Sequence, residues 1–246
     1  GAVYFSIGST GNISASDRTA SPPRATIMRI PPGGGPPAPF ATGVRNGTGL
    51  AIAPDGSVWT AVNNRDDVAD PRPGPSYGAV NDYVNDHPPE SVARLTPGRE
   101  LGWPYCNPDV DGPPRFVRDV QTNADGARLD CAALAAVEQT LGAHSAPLGL
   151  SFTTGDLPVP FDAGALVGVH GSWNRSPARA PEVSFFAWRG GTLGPQQTLL
   201  GGFQEPDGTR WGRPVAAVAG PDGAVYITDD YAGAVYRLAP PGGPGR

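Results

Sequence analysis

The sequence predicts an all-β protein of the propeller type, and three observations carry that prediction. A unit of short strands recurs along the chain. The turns that join the strands are built from Gly, Pro and Asp. A single stretch of the 246 residues reads as helix. The recurring unit is a strand, a Pro-Asp-Gly turn, a strand ending in a polar pair, a turn, and a strand that closes on Arg-Leu or Arg-Ile near a Pro. Antiparallel hairpins repeating every ~40–45 residues are the mark of propeller blades. The chain length then allows about four blades once its long insertions are set aside.

Taken in order, residues 2–8 (AVYFSIG) have the aromatic and β-branched content of a half-buried strand. Residues 9–24 are polar and predict a loop, 25–30 (ATIMRI) a second strand, and the Pro/Gly run at 31–39 another loop. Residues 43–54 (GVRNGTGLAIAP) form the next strand, Asp55-Gly56 a hairpin turn, 57–63 the return strand, and 91–98 the closing strand of that unit. The stretch 64–90 is long, acidic and aromatic, and in a propeller it lies across one face. Within it, His87 is expected to be exposed.

Residues 130–142 (DCAALAAVEQTLG) predict a short helix, with Asp130 as N-cap and Gly142 at the C-terminal end. Residues 165–177 (ALVGVHGSWNRSP) start as a buried strand and end in a polar cluster, which suggests the inner strand of a blade aimed at the channel. Residues 213–220, 224–230 and 234–240 repeat the unit a last time around Asp222-Gly223. The whole chain, 1–246, reads as a single incomplete propeller domain, with 240–246 a flexible tail. It opens in a strand without an initiating Met, so further sequence is expected upstream.

The net charge is −5 and the pI about 5.1, with no basic cluster, so nucleic acid is not an expected partner. There is no lysine; all 18 cations are Arg, as a GC-rich coding sequence would give, and Lys chemistry is excluded. No membrane span or signal peptide is visible. Cys106 and Cys131 stand 25 positions apart with no Cys/His cluster around them, so a disulfide is favoured over zinc. Closing that loop is worth about 3 kcal/mol in the chain-entropy model and points to a periplasmic or secreted protein.

The chemistry gathers at strand ends. Arg45-Asn46 precedes a strand, the run from Asn63 to Asp67 ends one, His144 precedes another, and His170 to Arg175 end the 165–177 stretch. Trp211, Arg213, Asp229 and Asp230 belong to the last unit. In a propeller these points converge on the channel, and arginines there suit a small polyanion. The 63–67 run, and Asn107, Asp109, Asp111 and Asp125, are oxygen donors that suit either a hard cation or turn chemistry. Phosphate-loop, nucleophile-elbow and zinc-protease motifs are absent.

Together GVRNGTGLA, AVNNRDD, YVNDHPPESVARL, LGWPYC, AHSAPLGLSF, VGVHGSWNRSP, WGRPVAAV and ITDDYAGAVYRL resemble the glucose/sorbosone dehydrogenase family. Those are soluble six-bladed propellers that use pyrroloquinoline quinone (PQQ) and Ca²⁺. The resemblance implies that Arg45, Asn46, Asn64, His144, Asn174, Arg175, Arg213 and Asp230 contact the quinone. Asn174 or Arg175 stands in for the family's Lys. The resemblance also implies that the backbone of Asn64, Arg65 and Asp66 binds Ca²⁺. The family's catalytic His would precede Gly1, so this chain corresponds to the C-terminal two-thirds of a propeller and alone should be inactive. The implied activity is oxidation of a sugar or polyol, with electrons passed to an acceptor. Two other readings stay open: a Ca²⁺-dependent lactonase-type hydrolase, and a propeller that binds a ligand without catalysis.

Overall fold

The computed structural model describes residues 1–155 and 157–239. The expected flexible tail at 240–246 lies outside the described residues. Four successive sheets make up the fold. The first begins with β1 (Val3–Ile7), β2 (Thr26–Ile30) and β3 (Ala38–Thr42). The second is built on β4 (Asn46–Ile52), β5 (Val58–Asn63) and β6 (Glu90–Leu95). A two-residue strand, β7 (Arg99–Glu100), returns to pair in parallel with β3. Then β8 (Cys106–Asp109) and β9 (Arg115–Arg118) form a separate hairpin, and β10 (Gln139–Leu141) completes the second sheet beside β6.

The third sheet is β11 (Pro147–Thr154), β12 (Ala163–Val169), β13 (Glu182–Arg189) and β14 (Thr192–Leu200). The fourth is β15 (Pro214–Ala219), β16 (Val225–Asp229) and β17 (Ala234–Leu238). Pairing inside the four blade sheets is antiparallel except at β7, and the first strands pack in chain order: β1 on β4, β4 on β11, β11 on β15. This is the β-propeller expected, with about four blades present. Among the described residues no helix is long and apolar enough to cross a membrane.

Period-two alternation explains why the sheets stack face to face. Phe186, Ala165 and Val167 join Trp59, Ala61 and Val92 in the core between the second and third sheets. Their chain neighbours Phe185 and Leu166 point the other way, into the core shared with Ala217, Val225 and Ile227 of the fourth sheet. Ile27, Phe40, Val58 and Val62 fill the space between the first and second. Near the axis the first strands come too close for side chains. A Cβ on Gly49 would lie 2.8 Å from the Leu150 Cβ, and one on Gly149 would lie 2.6 Å from the Ala216 Cβ.

Three sequence expectations change. The helix over 130–142 shrinks to one 3-10 turn, Cys131–Ala133, which Asp130 caps through the Ala132 amide at 3.0 Å. Beyond it Val137 is drawn into the core and β10 is taken by the second sheet, so tertiary pairing overrides local propensity. The Pro/Gly run is not loop to its end, because Ala38 and Pro39 belong to β3, with Pro39 opposite a register shift at Met28 where a missing N–H is tolerated. The 165–177 stretch supplies β12, the second strand of its blade; β11 stands between it and the axis. The Cys106–Cys131 disulfide is formed and ties the β8–β9 hairpin to the 3-10 turn.

Candidate functional site

The polar groups lie where chains enter and leave the first two strands of the second, third and fourth sheets. Antiparallel pairing sets Asn46 opposite Asn63, which brings Arg45 beside Asn64. The Arg45 Nη1 donates to the carbonyls of Asn63 (3.4 Å) and Asn64 (2.5 Å). Burial lowers the Arg45 pKa while Asp66 and Glu90 hold it up, and a guanidinium there stays charged. Asn46 faces away, its Oδ1 accepting from the Ser9 amide at 3.1 Å. The Asn64 side chain donates to the Pro89 carbonyl (2.8 Å), and its own N–H donates to Glu90 Oε2 (2.5 Å). Burial pushes the Glu90 carboxyl up to about 8, against the amides that donate to it.

Asp66 joins the second blade to the third. Its carboxylate accepts from His144 Nδ1 (3.0 Å) and from Asn174 Nδ2 (3.4 Å). Burial acts to raise its pKa, but these partners hold it below the usual carboxylate range. The other ring nitrogen of His144 faces the Val84 carbonyl at 2.6 Å. Burial disfavours the imidazolium, yet two acceptors on opposite sides raise the His144 pKa overall. His144 and Ala146 sit at left-handed φ of 59° and 48°, strained backbone at the entry to β11.

Arg175 grips the long loop, with Nε on the Asn85 carbonyl (2.7 Å) and Nη2 on Asp86 (2.6 Å). In the fourth blade, Arg213 donates to the carbonyls of His170 (2.8 Å) and Gly171 (3.1 Å), and Asp230 accepts from His170 Nε2 at 2.7 Å. That bond holds Asp230 low, whereas its neighbour Asp229 is buried and receives the Arg213 amide.

The structure therefore brings His144 and Asn174 onto the Asp66 carboxylate, with Arg45 and Asn64 bonded to each other in the same segment, and joins His170, Arg213 and Asp230 in a second group. The segments carrying the two groups are joined by the Gly171 amide on the Ser145 carbonyl. Arg65 is not with them. Its side chain is fully buried against Asp119 (2.5 Å) and Gln121 (2.6 Å), beside the disulfide hairpin. The picture of arginine forks open to a polyanion also changes, since Arg45, Arg175 and Arg213 each bind backbone carbonyls of strand-end loops. His87, expected on the surface, is buried. Sequence reasoning missed Glu90; the only hint was a carboxylate at the first position of a strand that is otherwise buried.

Two buried atoms in the first group have no hydrogen-bond partner, Arg45 Nε and Asn174 Oδ1. One is a cationic donor and the other a carbonyl acceptor. That pair fits PQQ, which offers carboxylates to the first and a ring N–H to the second. The Ca²⁺ set fits less well. The Asn64 carbonyl already accepts from a guanidinium, and the Asp66 carbonyl accepts from Asn12 Nδ2 (2.8 Å) and Arg65 Nε (3.1 Å). A cation there would have to displace a cation, so no step below runs through calcium.

A model of the TrAA12-like family matches residues 1–240. Among solved structures, the holo PQQ domain of pyranose dehydrogenase from Coprinopsis cinerea superposes with TM-score 0.73 at 22% identity, over 97% of this chain and 67% of that one. A Carbohydrate-Active Enzymes Family AA12 protein of Trichoderma reesei, in a calcium structure, gives 0.67 at 18% identity, over 96% and 64%. The PQQ-bound aldose sugar dehydrogenase of Streptomyces coelicolor gives 0.54 at 17%, over 98% and 56%. An uncharacterized protein of Borreliella burgdorferi is 25% identical over 202 residues, 80% of this chain and 48% of its own length. The chain thus spans about half of that curated relative.

Proposed function

Since the chain belongs to the TrAA12-like family, we propose that it belongs to a PQQ-dependent enzyme that oxidises a sugar or a related polyol and passes the electrons to an external acceptor. The observation that carries the proposal is the pair of unpartnered buried atoms, Arg45 Nε and Asn174 Oδ1, on loops of two different blades. Buried polar atoms are otherwise almost always paired, so this pair marks where a ligand of matching chemistry belongs. The similar structures include PQQ-bound forms, which supports the same ligand.

In this reading Arg45 donates to a carboxylate of the cofactor and Asn174 accepts its N–H. The Asp66 carboxylate fixes Asn174 through Nδ2, and the amide oxygen is left buried without a partner. Arg213 and Asp230 hold the His170–Gly171 turn at the rim. The bound quinone would supply a two-electron acceptor for an alcohol carbon. Trp173, 80% exposed beside Asn174, offers an apolar face to the C–H side of a sugar ring. His144 is engaged at both ring nitrogens and His170 is paired with Asp230 through Nε2; no general base is assigned.

A dye-reduction assay on the intact protein tests the reading. Aldose-dependent reduction should appear only after loading with PQQ, and Trp173→Ala should raise KM with kcat nearly unchanged. Activity without quinone, as a metal-dependent lactonase would show, would contradict it. The disulfide supports a periplasmic or secreted location as part of the same proposal.

A further inference from the structure

On the opposite side of the long loop lies a second cluster that the quinone reading does not use. His87 Nε2 is 3.2 Å from Asp111 Oδ2 and 3.7 Å from Asp109 Oδ1. Ligand atoms of all three residues fall within 4.8 Å of one another. His87 is 6% exposed, and its Nε2 is buried without a hydrogen-bond partner despite the nearby oxygens. The carboxylate oxygen at 3.2 Å therefore lies off the axis along which that nitrogen could donate.

The surroundings orient the imidazole as a ligand. His87 Nδ1 stands 3.0 Å from the Tyr83 carbonyl, which can only accept, so Nδ1 carries a proton and Nε2 is the nitrogen left to ligate. The Tyr83 ring stacks on the imidazole at 3.8 Å and fixes its plane. Arg115 holds the other oxygen of Asp109 (3.1 Å), and the Asp111 amide donates to Asp109 Oδ1 at 3.2 Å. Arg72 lies 3.9 Å from Asp111, but its charge is answered by Asp70 at 2.7 Å. Tyr83, Asp109 and Asp111 line a cleft of about 620 Å³, so water can complete a coordination shell.

We propose that His87, Asp109 and Asp111 bind a divalent transition-metal ion of the zinc class. Four-coordinate zinc with bonds near 2.1 Å sets its ligand atoms about 3.4 Å apart, and the two carboxylate oxygens stand 3.2 and 3.7 Å from His87 Nε2. One imidazole with two carboxylates favours Zn²⁺ or Mn²⁺ over Ca²⁺ or Mg²⁺. The ion would pin the Asp82–Asn85 turn to the β8–β9 hairpin. The same turn presents its Val84 and Asn85 carbonyls to His144 and Arg175, so the metal would brace the candidate cofactor site from behind.

The test is calorimetric titration of the chelator-stripped intact protein with Zn²⁺, repeated with Co²⁺ in the visible range. One equivalent should bind, with the d–d bands of low-coordinate Co²⁺. Affinity should fall by more than about tenfold in both His87→Ala and Asp111→Asn. Asp111 is half-exposed, so the second variant should fold even if the first does not. No stoichiometric binding, binding unchanged in Asp111→Asn, or binding lost instead in His170→Ala would overturn the site.

Discussion

A carboxyl taken out of water must find cationic company or keep its proton. Glu90 meets that choice beneath Arg45 and Asp66, and burial pushes it up to about 8. A raised folded-state pKa stabilises fully below the unfolded value and loses that contribution as pH climbs through the folded value. Glu90 should therefore make the protein less stable between about pH 4.5 and 8. His144, also raised, acts in the same direction above its ordinary value, while Asp66, held low, withdraws stability only as the solution becomes strongly acid. Denaturant midpoints across this range should fall toward alkaline pH in the wild type and flatten in Glu90→Gln. The buried Arg65–Asp119 pair is a second residue-scale prediction: Arg65→Ala strands a carboxylate and should cost about 3–5 kcal/mol. Breaking the exposed Arg237–Asp222 pair should cost far less by the same measurement, because solvent screens it. The residue types at these positions were legible in the sequence, but their aim was not. Arg45 and Arg65 stand in similar polar runs, and only the hairpin 54 residues further on turns Arg65 away from the channel.

Elements fared better than side chains because turn chemistry is local. Asp55-Gly56 and Asp222-Gly223 specify their hairpins with a glycine at positive φ, and β4–β5 and β15–β16 follow. β10, expected as helix, is recruited by β6, a neighbour distant in sequence and a signal no short window carries, whereas β3 closes on β2 across the Pro/Gly run, and β13 and β14 have no counterpart in the sequence reading. The disulfide hairpin was likewise legible as a bridge but not as a strand pair. Its contribution is testable: replacing Cys106 and Cys131 with Ser should lower stability by about 3 kcal/mol in denaturant titrations. Because Asp119 follows that hairpin, the loss should spread to Arg65 and the long loop, seen as faster amide exchange over 64–90.

At the scale of the molecule, the chain stacks sheets around an axis by placing glycines where the first strands of neighbouring blades meet. Gly49 against Leu150 and Gly149 against Ala216 are the contacts that allow this approach. Gly149→Val should force the third and fourth blades apart and cost roughly 1–3 kcal/mol or more in a thermal melt. Propeller architecture was legible from repeated hairpins, and the site's general position followed from it. The ligand-facing details, two unpartnered atoms around Asp66, needed three dimensions. The central claim is that these atoms belong to a PQQ site, and equilibrium titration of the intact protein with PQQ, followed by cofactor absorbance, tests it most directly. Saturable binding that weakens about tenfold or more in both Arg45→Ala and Asn174→Ala, each a loss of about 1.4 kcal/mol or more, is the predicted result. No saturable binding, or binding that neither substitution changes, would contradict it.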